Sequence, residues 1–330
     1  MKARKGQAAK SHDPSHTGFI LRPWLAESKR RFAKLRLDVR NEVKLFYQSA
    51  PKANAPYAFQ TAPEKLERFK TWLSLQMRNG LLDVKDGNPA NVYRGEWWAG
   101  KYITSAYKKG MTRAVDEMKK AGLPGYFNIQ PITTVAPALF GTADYEQGLT
   151  LKRGFPNIKL AEPGKMTADL LARFNSPVHS ERVALLYGRT FEGMKGITDA
   201  MSNSLSGILA QGMVDGRNPY EIAKDINKTL GIGEARSRVI ARTEIIRAHH
   251  VGSVITYKEA GVMGVKTMAE WVTVSGDAEN FEEMGVCPLC QALQEQTRKK
   301  PMSLDEILPL LPRHPNCRCV AIPVITDIED

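Results

Sequence analysis

All four cysteines of this 330-residue sequence lie in two short groups near its carboxyl end. The first group is Cys287-Pro-Leu-Cys290, and the second is His314-Pro-Asn-Cys317-Arg-Cys319. Two thiolates separated by two residues can bind one ion from a single tight turn. A second group with imidazole and thiolate can complete a tetrahedral shell at about 2.0–2.3 Å from zinc. The spacing therefore predicts a structural zinc site, whose four protein ligands leave no position for a substrate.

Five side chains of this segment compete for four ligand positions. The favoured set is Cys287, Cys290, His314 and Cys317, because one residue separates Cys317 from Cys319 and both need a local bend to reach one ion. A set with Cys319 in place of His314 stays open, as do two disulfides or free thiols. No apolar signal segment follows the basic start, so we expect a reducing compartment, where clustered cysteines more often bind metal.

The positive charge of the chain is concentrated at its other end. The whole sequence has 47 Lys and Arg against 35 Asp and Glu, and residues 1–80 hold 17 of the former and 6 of the latter. Cations displace counterions from a phosphate backbone, so this end is expected to attract DNA; a solvated basic tail is the alternative. The predicted DNA-contacting residues are Lys2, Arg4, Lys5, Lys10, Arg30, Arg31, Lys34, Arg36 and Arg40.

The distribution of apolar residues predicts a mainly α-helical protein in three parts. Residues 1–60 are expected to form a basic arm and an amphipathic helix that docks on the body. Residues 61–260 form a multi-helix body, and residues 261–330 form a small mixed α/β unit held by the Cys/His cluster. No stretch approaches the roughly 20 apolar residues that span a bilayer, so no membrane association is expected.

Two helices are predicted in the second half of the body. A short one over residues 220–230 is expected to end at Gly231, and a longer one follows over residues 234–259. Mostly small side chains occupy one face of the longer helix, which favours close packing against another helix. These residues are Ala241, Ile245, Ala248, Gly252 and Ile255. Residues 126–164 carry several Pro and Gly and are expected to form an extended connection.

The same helix contains Arg242-Thr243-Glu244, which we interpret as part of a buried polar network rather than as a catalytic group. The sequence contains one His-x-Glu, at His179-Ser180-Glu181, and it lies too far from Cys287 to form a deaminase motif. No nucleophile elbow and no phosphate-binding loop is present. We therefore predict that the protein is not an enzyme.

Taken in order, these motifs resemble a known family. Ile240 to Glu244, a following helix that ends near Gly261, Trp271, Asp277 and the two Cys groups are similar to the phage Mu F-like minor head proteins, also called phage head morphogenesis proteins. The resemblance is best over residues 205–324. It differs in the nine residues between Asp277 and Cys287, and the first 90 residues have no clear counterpart.

The resemblance implies a minor structural protein of a tailed-phage head that takes part in head morphogenesis. Its implied partners are the portal protein, a major capsid or scaffolding protein, and double-stranded DNA bound without sequence preference. Its implied location is the virion, at the portal or capsid interior, and the host cytoplasm during assembly. The alternative from another class is a DNA-processing nuclease that uses the Cys/His unit.

Overall fold

The computed structural model describes residues 4–5, 14–46, 61–121, 168–262, 265–273 and 286–328. The predicted connection over residues 126–164 lies outside the described residues. Lys2, Lys10 and Asp277, which the sequence analysis singled out, also lie outside them.

Helices make up most of the described chain, as predicted. They are α1 (Gly18–Phe46), α2 (Ala62–Met77), α3 (Ala90–Tyr93), α4 (Gly100–Lys120), α5 (Ala168–Phe174), α6 (Pro177–Val214), α7 (Pro219–Val262), α8 (Pro288–Lys299) and α9 (Leu304–Ile307). A π-helical turn, Arg78–Leu82, follows α2 directly. The break between α5 and α6 falls at Ser176-Pro177, where the proline lacks the amide that would continue the helix.

One antiparallel sheet lies beside the helices and brings the two ends of the chain together. Its strands are β1 (Arg4–Lys5), β2 (Val265–Val272), β3 (Met302–Ser303) and β4 (Val320–Ile328), in the order β1-β4-β2-β3. The long pairing joins β2 to β4, with Val272 opposite Val320. At the edge, Arg4 lies opposite Ile325. The basic arm is thereby attached to the predicted C-terminal α/β unit.

The prediction of a helix end at Gly231 is wrong, because α7 continues without a break for 44 residues. The glycines of this region allow close packing instead. A Cβ atom on Gly233 would overlap the sulfur of Met201 in α6. No atom lies within 4 Å of a Cβ added to Gly231, so the close approach of the two helices is at Gly233 and not at the predicted helix end.

The small face of α7 packs against α4, as the sequence predicted. Ala241, Ala248 and Ile255 are buried, and Gly252 lies against the backbone oxygen of Tyr107. On the facing helix, a Cβ atom on Gly110 would overlap the carbonyl oxygen of His249. Both helices therefore depend on the absence of side chains where their backbones meet.

Substitution of Gly110 by alanine is expected to destabilise the protein. The added Cβ atom meets backbone, which has no alternative rotamer, so α4 and α7 must separate, and overpacking of this kind costs about 1–3 kcal/mol. The matched control is Gly207→Ala in α6, where no atom lies within 4 Å of the added Cβ. The control should leave stability unchanged or raise it by up to about 1 kcal/mol. Urea denaturation of both variants measures the difference, and equal effects would contradict the packing.

Helix α1 docks on the body through its apolar stripe, as predicted. Phe32, Leu35, Val39 and Val43 are buried in a cluster with apolar residues of α2, α6 and α7. Nearer its start, Trp24 belongs to the main core. Four aromatic residues are buried in that core as well: Trp97, Trp98, Tyr102 and Tyr107.

A buried carboxylate joins α1 to α4. The side chain of Glu27 is fully buried and accepts hydrogen bonds from Arg31 Nη2 at 3.0 Å, Lys101 Nζ at 2.9 Å and the Tyr102 hydroxyl at 2.7 Å. Burial by itself would raise the pKa of Glu27, but the charges of Lys101 and Arg31 outweigh it, so the pKa lies below its ordinary value. Glu27 is therefore ionised in the interior.

Two adjacent histidines of α7, His249 and His250, are also buried. Burial lowers the pKa of His250 to about 3, and the charge of Arg247 acts in the same direction. The folded protein thus keeps this imidazole neutral, while the unfolded chain binds a proton near pH 6.5. The stability that the neutral His250 side chain permits is fully present above pH 6.5. It is lost as the pH falls from 6.5 toward the pKa of His250 in the folded protein, because protons bind preferentially to the unfolded chain.

We expect the free energy of unfolding to fall by about 2 kcal/mol between pH 6.5 and 5 because of His250, above the range where most carboxylates titrate. The variant His250→Gln removes this proton uptake and should reduce the slope of stability against pH by about half in that window, because burial also lowers the pKa of His249. Denaturation curves at several pH values measure the slope for both proteins. An unchanged slope in the variant would show that His250 is not the source.

Candidate metal centre

The first pair of sulfur atoms is placed by the start of α8. Cys287 is the residue that caps this helix, and Pro288 occupies its first position, where the missing amide is not needed. The Cys290 backbone N–H donates to the Cys287 sulfur at 3.4 Å. The start of α8 thereby fixes the position of the Cys287 sulfur.

The second group lies on a tight turn that leads into β4. Asn316 adopts a left-handed backbone conformation, with φ of 63°, which asparagine tolerates better than most residues. The Cys317 N–H donates to the His314 carbonyl oxygen at 3.1 Å and closes the turn. Cys317 and Cys319 are both buried.

The structure brings together all five predicted metal ligands. The Cys290 sulfur lies 3.3 Å from His314 Nε2 and 4.0 Å from the Cys317 sulfur. Two groups of three donors each lie within 4.8 Å of one another: Cys287, Cys290 and His314 in one, and Cys290, Cys317 and Cys319 in the other. All four cysteines are free thiols. Cys290 belongs to both groups and is the centre of the cluster.

The orientation of His314 suits a metal ligand. Its Nδ1 lies 2.8 Å from the carbonyl oxygen of Pro315, so Nδ1–H donates to that oxygen. The lone pair of Nε2 then faces Cys290. Histidines that bind metals typically donate their other ring N–H to a backbone carbonyl or a carboxylate in this way.

The pKa shifts of the buried cysteines are also consistent with metal binding. Hydrogen bonds from Cys290 and Cys319 hold the pKa of Cys317 well below the ordinary thiol value. The hydrogen bond between Cys290 and Cys317 raises the pKa of Cys290. A thiolate thus lies beside protonated thiols, and a bound cation would displace their protons, because metals bind cysteine as thiolate.

The polar residues around the cluster attach it to the rest of the protein. The Asn316 N–H donates to Thr243 Oγ1 of α7 at 3.2 Å. The Trp271 N–H of β2 donates to Thr297 Oγ1 of α8 at 2.9 Å, and the Thr273 N–H donates to Gln294 Oε1 at 2.7 Å. Thr297 and Gln294 were not identified from the sequence, because a polar residue on an amphipathic helix does not reveal which backbone group it will meet.

The predicted motif residues of α7 lie on this side of the protein. Glu244 is buried and forms ion pairs with Arg189 of α6 at 3.3 Å and with Arg247 at 3.2 Å, as expected of a buried polar network. Arg242 is half-buried. Trp271 is fully buried in the apolar cluster that contains Cys290, Cys317 and Cys319.

The predicted DNA-contacting residues of α1 do not form one exposed face. Arg31 is only 7% exposed and pairs with Glu27 and Asp83, so the prediction that it contacts DNA is wrong. Arg31 is buried because its charge neutralises the buried carboxylate of Glu27. Arg36 pairs with Glu234 at 2.6 Å and Lys34 with Asp38 at 2.7 Å. Lys34 and Arg40 are exposed, Arg30 and Arg36 are half-buried, and Arg4 and Lys5 form β1.

The fold and the site define a mainly helical protein with a small C-terminal α/β unit and a Cys/His cluster that can hold a metal ion. No family model, no curated protein and no solved structure matches the chain. Within the described residues, none of the helices has the length and apolar character needed to cross a membrane.

Proposed function

We propose that this protein is a minor head protein of a tailed bacteriophage that acts in head morphogenesis at the portal and the capsid interior. A single zinc ion closes its C-terminal unit, and the protein contacts packaged DNA without sequence preference. Its protein partners are the portal protein and a major capsid or scaffolding protein. Its role is structural rather than catalytic.

One observation carries this proposal: motif residues that are far apart in sequence lie beside one Cys/His cluster. Thr243 accepts a hydrogen bond from the ligand loop at Asn316, and Trp271 fills the core beneath the buried cysteines. These are the residues on which the resemblance to phage head morphogenesis proteins rests. Their convergence is what a family-specific fold unit requires, since chance matches have no reason to meet.

The donor set supports zinc in a structural role. Three thiolates and an imidazole, or four thiolates, suit zinc in tetrahedral geometry and fill its coordination shell. Cys290, Cys317 and Cys319 are buried, so a bound substrate would have no access to the ion from their side. When bound, zinc would cross-link α8 to the loop before β4, and this chain's own residues would hold that loop against α7.

The sheet gives this unit a mechanical connection to the basic arm. β1 pairs with β4, which begins directly after Cys319, so the metal-binding loop and the two described residues of β1 belong to one sheet structure. The exposed Lys34 and Arg40 of α1 add sequence-independent attraction to phosphates. A protein of this kind can join a protein ring to DNA without chemically altering either.

Isolation of the tagged protein from infected cells is expected to recover the portal protein and a capsid protein. Bound DNA should be released as salt rises, because each phosphate contact adds about 0.9 to the slope of log affinity against log salt. Mass spectrometry and DNA quantification of the eluates measure both. Recovery of neither virion protein would contradict the proposal, and degradation of plasmid by the purified chain with added divalent metal would favour the nuclease instead.

A further inference from the structure

A groove of about 880 Å³ lies between α2 and α6, away from the metal centre. It borders the apolar cluster that α1 forms with α2, α6 and α7. Ser74 of α2 and Ser202 of α6 meet across it at 3.4 Å. The buried side chains of Met77 and Leu82 form its floor. We refer to it as the α2–α6 groove.

The lining of the α2–α6 groove is cationic and rich in hydrogen-bond donors. Lys70 and Arg78 lie on the α2 side and Lys195 on the α6 side, while Asp199 is the single carboxylate among the lining residues. Ser74, Ser202 and Asn203 supply hydroxyl and amide groups, whereas the Thr71 and Thr198 hydroxyls donate to backbone carbonyls of their own helices. Cations combined with such neutral donors are the groups that proteins use to contact phosphate oxygens.

The cations of the groove are available to a ligand. Lys70 pairs with Glu67 at 2.7 Å and Lys195 with Glu192 at 3.8 Å, and all four side chains are more than 40% exposed. Ion pairs this exposed contribute about 0–1 kcal/mol and exchange readily. Among the described residues, Arg78 forms no ion pair.

Hydrogen bonds from neighbouring segments hold the turn that carries Arg78. Arg78 begins the π-helical turn, a feature that occurs frequently at functional sites. The Arg31 Nη1 group donates to the Gly80 carbonyl oxygen at 2.8 Å, and Trp98 Nε1 donates to that of Leu81 at 2.7 Å. The backbone of the turn is therefore held by α1 and by the segment just before α4, so the backbone position from which the exposed Arg78 side chain extends is set before a ligand binds.

We propose that the α2–α6 groove binds the phosphodiester backbone of double-stranded DNA, an inference that rests on the proposed DNA contact of this protein and gives it a location. The charged and hydroxyl groups on both walls favour this ligand. An acidic protein segment would bury apolar residues as well, and Leu75 is the single exposed apolar side chain of the lining.

The test is fluorescence anisotropy with a short labelled duplex of arbitrary sequence, at salt concentrations from about 50 to 200 mM. The triple variant Lys70→Gln, Arg78→Gln, Lys195→Gln should bind the duplex at least tenfold more weakly at low salt. Its slope of log affinity against log salt concentration should be smaller in magnitude by about 2–3. The matched control removes the same charge from exposed residues of α7: Lys224→Gln, Lys228→Gln and Arg236→Gln. It should change the affinity by less than about threefold, since only long-range attraction is lost.

The outcomes separate the groove from the proposed function. Wild-type binding together with an unchanged triple variant, or with equal losses in both variants, overturns the groove and leaves the DNA contact in place. No binding by the wild-type protein overturns both. Displacement of the duplex by polyglutamate at equal charge concentration would show that the groove takes acidic peptide, which also overturns the inference.

Discussion

Substitution of Cys290 by serine is expected to abolish zinc binding and to lower the melting temperature by about 10 °C or more. The Cys290 sulfur belongs to both groups of candidate ligands, so its loss breaks the site whichever four side chains bind the ion. Structural zinc contributes about 10–16 kcal/mol of apparent free energy in small domains. Only part of this appears here as lost stability, because the helical body has its own core. Differential scanning calorimetry with and without a chelator measures the effect.

The matched control is Gln291→Ser, the next residue of α8, which carries no metal ligand. This variant should bind one zinc ion per chain and melt close to the wild-type protein. A chelator should lower the melting temperature of wild type and control alike and leave Cys290→Ser unchanged. If Cys290→Ser and Gln291→Ser melt together and the chelator alters neither, the cluster does not stabilise the fold through an ion.

Substitution of Glu27 by glutamine is expected to cost about 3–5 kcal/mol, the largest effect predicted away from the cysteines. The amide has the shape of the carboxylate but no charge, so Lys101 and Arg31 lose their buried counter-charge. The contact between α1 and α4 is thereby weakened. Urea denaturation measures the loss in the free energy of unfolding.

An exposed ion pair provides the comparison for Glu27. Glu67 accepts a hydrogen bond from Lys70 Nζ at 2.7 Å, but both side chains are exposed, so Glu67→Gln should cost no more than about 1 kcal/mol. The Glu27 effect should also weaken in acid, because its pKa lies below the ordinary value and its stabilisation is lost as the pH falls below about 4.5. Equal costs for the two variants at neutral pH would contradict the buried network.

Helix positions were predictable because apolar periodicity is a local signal. The apolar stripe from Trp24 to Phe46 predicted α1 and its docking on the body. The small face of α7 predicted close packing against another helix, and that helix is α4 in the structure. The helix end at Gly231 was not predictable. Gly231 lies inside the unbroken α7, and no atom lies within 4 Å of a Cβ added to it, so its local sequence does not distinguish it from a glycine that ends a helix.

The metal ligands were predictable for a similar reason, since both groups have spacings that local turns impose. The residues around them were not, because the contacts of Thr243 with the ligand loop and of Thr297 with Trp271 form only in the tertiary fold. The burial of Arg31 was also hidden. Its charge looks like that of its exposed neighbours, and one of its partners, Asp83, is 52 residues away along the chain. Long-range ion pairs leave no periodic pattern in a sequence.

X-ray absorption at the zinc edge, on protein purified without chelators, measures whether an ion closes the C-terminal unit. We expect one zinc ion per chain, with four sulfur and nitrogen ligands at about 2.0–2.3 Å and no coordinated water. That result would establish a closed, structural ion at the junction of the helical body and the sheet. Absence of the metal, or a coordination shell with a water oxygen in an open position, would contradict it.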